Sequence, residues 1–156
     1  MNEIFKKLNY KDQKQIHVIG APDSFDKAID EMKGITTIKT TLPAAGDVAF
    51  FIGFVKTQED VDTLTNQVLT LIQDDGVLWF AYPKGSSKKY KCDFNRDTGW
   101  SKLGDNGFEP VRMVAIDEDW SALRLRKATH IKKMTRSRAI SETGKKRISI
   151  AGKNKK

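Results

Sequence analysis

The sequence predicts an α/β domain, a three-layer sandwich whose mostly parallel sheet of about six strands ends in an antiparallel hairpin. Three observations carry this. Val48–Val55 and Val77–Tyr82 are apolar throughout, as strands covered on both faces must be. Segments with helical spacing of apolar residues alternate with the strand-like runs. The last two such runs, 111–116 and 120–126, are separated only by Asp117-Glu118-Asp119, which is too short for a crossover and therefore reads as a hairpin turn.

Taken in order, Ile16–Gly20 reads as a short strand buried on both faces. Pro22-Asp23-Ser24 opens a helix with Asp23 or Ser24 as its cap. Its buried stripe is Phe25, Ala28, Ile29 and Met32, and Gly34 closes it. Ile35–Leu42 is threonine-rich and half polar, which suits an edge strand. After the central strand at 48–55, Thr57 to Asp60 caps a second helix, with acids in its first turn where the helix dipole favours them. Val61, Leu64, Val68, Leu71 and Ile72 form its stripe, and Asp74-Asp75-Gly76 ends it. The strand Val77–Tyr82 stops at Pro83, and a short helix around 98–104 buries Trp100 and Leu103.

The chain has 156 residues and a formal net charge of +8, a length suited to one domain. The charge is unevenly placed. Residues 1–126 hold 17 Lys+Arg against 19 Asp+Glu, whereas 127–156 hold 11 against the single acid Glu142. Two regions follow, a domain over 1–127 and a basic tail over 128–156, expected to be disordered or to fold only on a partner. Such a tail either aids solubility or binds nucleic acid and other polyanions through counterion release. It has no aromatic residue, so base stacking there is unsupported. Cys92 is the only cysteine, which excludes an intrachain disulfide and suits a reducing compartment. No apolar run is long enough to span a bilayer, and the N-terminal residues do not read as a signal peptide. A cytoplasmic protein without membrane contact is expected. The oligomeric state is not legible.

The order of elements resembles the class I methyltransferase variant of the Rossmann fold, in which the last strand inserts antiparallel between its neighbours. The resemblance implies the sheet order 2-1-3-4-6-5, with one helix and one strand missing where only Pro43–Asp47 joins two strands. A closer likeness covers 1 to about 127. It is carried by Trp79-Phe-Ala-Tyr-Pro-Lys-Gly-Ser-Ser-Lys88, Asp93-Phe-Asn-Arg-Asp-Thr-Gly-Trp100, Gly107-Phe-Glu-Pro-Val111, Val114-Ala-Ile-Asp117 and Trp120-Ser-Ala-Leu-Arg-Leu-Arg126. These residues resemble an uncharacterised family of small bacterial proteins, shortened methyltransferase-like Rossmann domains with no settled activity.

Activity does not follow from fold. The cofactor turn of such folds is glycine-rich so that backbone can approach the ligand. Here Gly20-Ala21-Pro22-Asp23 has one glycine and a proline lacking an amide donor, a degraded turn represented by Gly20 and Asp23. No acid stands at the end of the second strand, Thr40-Thr41-Leu42, to hold a ribose. Gly53-Phe54-Val55-Lys56 lacks the acidic or Asn residue expected near a transferred methyl group. No cofactor is therefore predicted, and S-adenosylmethionine is disfavoured.

Ligands of open α/β sheets sit outside the carboxyl ends of the strands, where 20–23, 84–96 and 117–121 should meet. An anion would find Lys84, Ser86, Ser87, Lys88 and Arg96 there, with Trp120 at the rim. Asp97, Trp100, Asp117 and Arg124 would support the site. Arg124 shares a strand face with Trp120 and Ala122, and burial obliges it to find a carboxylate, with Asp97, Asp93 and Asp117 as candidates. No catalytic residue is assigned. His17 and His130 lack companions at metal-ligand spacing, and Ser86 and Ser87 lack a nearby histidine or a nucleophile elbow. The leading expectation is a non-enzymatic module that recognises a phosphate-bearing ligand or RNA at the Lys84 loop, with the tail adding polyanion affinity. The alternatives are a divergent S-adenosylmethionine- or nucleotide-dependent transferase and a structural protein-interaction domain.

Overall fold

The computed structural model describes residues 2–94 and 99–131. A single sheet runs in the order β2-β1-β3-β4-β6-β5. Its strands are β1 (Gln15–Ile19), β2 (Thr37–Lys39), β3 (Val48–Phe54), β4 (Ile72–Pro83), β5 (Phe108–Ala115) and β6 (Trp120–Lys127). The first four are parallel, and β6 is antiparallel to both its neighbours, β4 and β5. This is the methyltransferase-like order that the sequence implies. The alternation of all-apolar strands with helices leaves few other ways to cover both faces of the sheet.

Among the described residues four α-helices flank it: α1 (Glu3–Lys7), α2 (Asp26–Met32), α3 (Gln58–Val68) and α4 (Ser101–Asp105). On one face Phe5, Leu8, Phe25, Ala28 and Met32 pack on Ile16, Val18, Phe50, Ile52 and Trp79. On the other, Val61, Val68, Trp100 and Leu103 pack on Phe51, Leu78, Phe80 and Leu125. Thr57 and Asp60 form the expected reciprocal cap of α3.

Several boundaries differ from the sequence reading, each for a local reason. The N-terminal α1 has too few residues to show a periodicity. It is fixed by the Asn2 side chain, which accepts from the Ile4 and Phe5 amides, and by the Trp79 indole, which donates to the Leu8 carbonyl at 2.8 Å. Neither Asp23 nor Ser24 caps α2. Asp23–Phe25 form a 3₁₀ turn without a side-chain cap, and the α-helix begins at Asp26. Helix α3 ends at Val68, earlier than its apolar stripe suggests, because Ile72 pairs with Val48 in the sheet and the Leu71 carbonyl accepts from the Val48 amide. Strand β2 is shorter than expected, since only Thr37–Lys39 find partners on β1. The fold also continues past Lys127. Ala128 is fully buried and donates its amide to the Gly107 carbonyl. Of the tail, 132–156 lie outside the described residues.

His17 on β1 is 3% exposed, and burial holds its pKa below the ordinary value of 6.5. The unfolded chain therefore takes up a proton on this group before the folded one does. Its stabilising contribution is complete above about pH 6.5 and is lost as pH falls from there through the folded-state value. Urea unfolding at several pH values should show stability declining below pH 6.5, and His17→Gln should flatten that part of the profile.

Candidate functional site

The carboxyl ends of β3 and β4 and the start of β6 meet at one rim because β6 runs against β4. Tyr82 lies opposite Ser121, and Pro83 opposite Trp120. The turn before β6 is organised by Asp117, whose Oδ1 accepts from the amides of Asp119 (2.8 Å) and Trp120 (2.9 Å). This Asx arrangement presents Asp119 to the loop leaving β4. The Lys84 amide donates to the Asp119 carbonyl at 2.8 Å, and the Ser87 hydroxyl donates to Asp119 Oδ1 at 2.8 Å. Ser87 Oγ also accepts from the amides of Lys89 and Tyr90. At its far end the loop is tied to α3, where Asp93 Oδ1 accepts from the Gln58 amide at 2.7 Å and the Asp93 amide donates to the Lys56 carbonyl.

These ties leave a pocket of about 620 Å³ between the loop and the hairpin. Lys84, Ser86 and Lys91 supply cationic and hydroxyl groups, and Tyr82, Phe94 and Met113 supply an apolar side. The Tyr82 hydroxyl donates to Met113 Sδ at 3.2 Å. Cys92 also lines the pocket, and burial raises its thiol pKa, so it stands there as a neutral thiol. Tyr90 closes one side. Its ring packs on Trp120, and Lys56 and Lys89 bring Nζ to 5.7 and 5.5 Å from its centroid, within cation–π range.

The candidate residues are thus only partly brought together. Lys84, Ser86 and Ser87 line the pocket, although the Ser87 proton is engaged by Asp119. Lys88 lies instead in an adjoining groove opposite Glu118 and Asp119. Trp120 does not line the pocket. Alternation along β6 turns it to the α1/α2 face, where it is 2% exposed and stacks on Phe54, and Ser121 faces the pocket in its place. Trp100 is core, packed on Phe80, Tyr82 and Phe94. Arg96 and Asp97 lie outside the described residues. Arg124 does not pair with Asp93 or Asp117, which are occupied at the rim. The carboxylate whose charge acts on it is Asp75, which Arg126 holds toward the far end of β6.

The sequence reading missed Tyr82, Tyr90, Phe94, Met113 and Ser121 as pocket residues. Their signal is the β4–β6 register, which aligns Tyr82 with Ser121 and, through β5, places Met113 beside Leu123. Register is set by pairing and cannot be read from either strand alone.

At the end of β1, Gly20 has φ +72°, and a Cβ there would lie 3.1 Å from the Phe54 carbonyl oxygen. The turn is drawn against β3, and Asp23 is exposed beyond it. Next to it Phe25, Phe54, Trp120 and Tyr90 form an unbroken aromatic column with centroid separations of 4.9, 5.2 and 5.1 Å. The turn carries one glycine, and no acid stands at Thr40–Leu42 directly after β2. Among the described residues no three His, Cys, Asp or Glu side chains gather as metal ligands would. None of their helices is long and apolar enough to cross a membrane.

No protein-family model matches the chain, and a search of curated proteins returns no match. Solved structures do match in fold. A S-adenosylmethionine-dependent methyltransferase from Aquifex aeolicus aligns with a TM-score of 0.54 at 10% identity, covering 79% of this chain and 87% of that one. The ribosomal protein L11 methylase from Lactobacillus delbrueckii subsp. bulgaricus aligns at 0.50 and 13% identity, covering 80% and 75%. The pyocyanin biosynthetic protein PhzM aligns at 0.51 and 11% identity, covering 81% and 54%. The chain is therefore a methyltransferase-like Rossmann domain in fold, and at these identities the likeness extends no further.

Ser87→Ala removes one charge-assisted hydrogen bond and the acceptor of two amides. It should lower stability by about 1–2 kcal/mol and speed hydrogen exchange selectively at the Lys89 and Tyr90 amides.

Proposed function

We propose that this domain recognises a small phosphate-bearing ligand in the rim pocket, with Lys84, Lys91 and Ser86 meeting the anionic group and Tyr82, Phe94 and Met113 receiving its less polar part. The observation that carries this reading is the two-sided lining of a pocket of about 620 Å³ at the carboxyl rim, where open α/β sheets bind their ligands. A lysine directly after a strand-ending proline has a fixed backbone direction. The Lys84 amide bond to Asp119 fixes it further. The reading is of a binding module, since the Ser87 hydroxyl is engaged in holding the loop, donating to Asp119 and accepting from the Lys89 and Tyr90 amides, and Cys92 stands as a neutral thiol.

The second reading is a S-adenosylmethionine- or nucleotide-dependent transferase, and the comparisons taken alone favour it over the non-enzymatic one. The observation behind it is the likeness in fold to S-adenosylmethionine-dependent methyltransferases. The drawn-in Gly20 turn and the aromatic column stand against that cofactor.

A thermal-shift titration separates the two. A nucleoside 5′-monophosphate should raise Tm saturably, the matching nucleoside should not, and Lys84→Ala should raise the titration midpoint about tenfold. Saturable stabilisation by S-adenosylmethionine alone would replace this reading with the second. A separate expectation concerns residues 132–156, whose charge is almost wholly basic. Deleting them should remove salt-dependent RNA binding while leaving Tm nearly unchanged; a truncated protein that binds RNA as tightly would overturn that division of labour.

A further inference from the structure

Away from the rim, the α1/α2 face of the β5–β6 ribbon carries three arginines. Arg124 lies about 13 Å along β6 from Trp120, opposite Arg112 on β5, and Arg126 follows two residues later on the same face. Arg126 is satisfied. Its Nε and Nη2 each donate to an Asp75 carboxylate oxygen at 2.7 Å, and this bidentate pair holds Asp75 below the usual carboxylate range. Glu109, across from Arg126, has a partner of its own.

Arg124 is not satisfied. Its Nε is buried with no hydrogen-bond partner among the described residues, and none of their carboxylates forms an ion pair with it. Desolvation, then the like charges of Arg126 and Arg112, depress its pKa, and Asp75 only partly offsets them. A half-buried guanidinium between two other cations, with its donor unmet, is unfavourable unless an anion joins it. Arg112 is exposed and stands directly across the ribbon. Two guanidinium forks side by side match the several oxygens of a tetrahedral oxyanion better than a single carboxylate.

We infer that Arg112 and Arg124 form a second oxyanion site, for a phosphate group, on the sheet face remote from the Lys84 pocket. The site is independent of the reading proposed for the rim. Its phosphate can come from a free small molecule or from a nucleic-acid strand, and both present the same oxygens to the two guanidinium groups.

The test uses the full chain and inorganic pyrophosphate, with Tm as the readout. Pyrophosphate should raise Tm saturably. Arg112→Glu, at an exposed position, should weaken the titration midpoint about tenfold or more, the loss expected for a charge-assisted hydrogen bond or larger. Lys84→Ala should leave it unchanged. No rise, a rise that survives Arg112→Glu, or a rise that vanishes in Lys84→Ala would each overturn the site, the last by assigning the anion to the rim. Arg124→Met is read first without anion, where removing an unpartnered charge should leave Tm at or above that of the parent. A clear fall would show that the guanidinium is already paired within the chain, with Glu142 the only acid after Asp119, and would also overturn the site. A short oligothymidylate run in parallel identifies the source. The same Arg112 dependence places the phosphate on a strand, and a response to pyrophosphate alone places it on a small molecule.

Discussion

The insertion of β6 antiparallel between β4 and β5 is the constraint on which the rest of the molecule depends. A strand in that position must satisfy its hydrogen-bonding groups on both edges, and it does so along nearly its whole length. Because it runs against β4, it begins where β4 ends. The Asp117–Asp119 turn is thereby brought to the loop that leaves Pro83, and Asp119 accepts from both the Lys84 amide and the Ser87 hydroxyl. A parallel last strand would begin at the opposite end and leave the Lys84 loop without a wall.

The same insertion separates two chemistries. Alternation along β6 sends Ser121 to the pocket face and Trp120 to the face of the aromatic column. That column runs from Phe25 to Tyr90 and joins the ends of β1, β3 and β6 with packed rings. It lies beside the Gly20 turn, which is drawn against Phe54. The pocket lies on the β4–β6 side of the rim.

Charge is distributed along the chain in a way that net charge conceals. The folded part nearly balances its acids and bases, and several of its cations have a definite neighbour: Arg126 with Asp75, Lys127 with Asp74, and Lys56 and Lys89 with the Tyr90 ring. Exposed pairs such as Lys127–Asp74 contribute little to stability. Arg124 differs from the exposed cations in that its Nε is buried without a hydrogen-bond partner among the described residues, and for that reason it carries information about a partner.

The all-apolar runs at 48–55 and 77–82, the capping sequence Thr57–Asp60 and the short turn at 117–119 were enough to determine layer architecture and hairpin, because each is a local consequence of burial, helix-end hydrogen bonding or chain length. The resemblance to class I methyltransferases implied the strand order. The approach of the Lys84 loop to the hairpin follows from that order. What the sequence could not decide was which side chain finds which partner. Arg124 looked bound for a rim carboxylate, yet Asp93 caps α3 and Asp117 shapes its own turn. Trp120 looked available at the rim, yet the pleat turns it inward and points Ser121 to the pocket. Both outcomes depend on register between strands far apart in the chain. One residue of slip exchanges every inward and outward side chain, so only the assembled sheet fixes them.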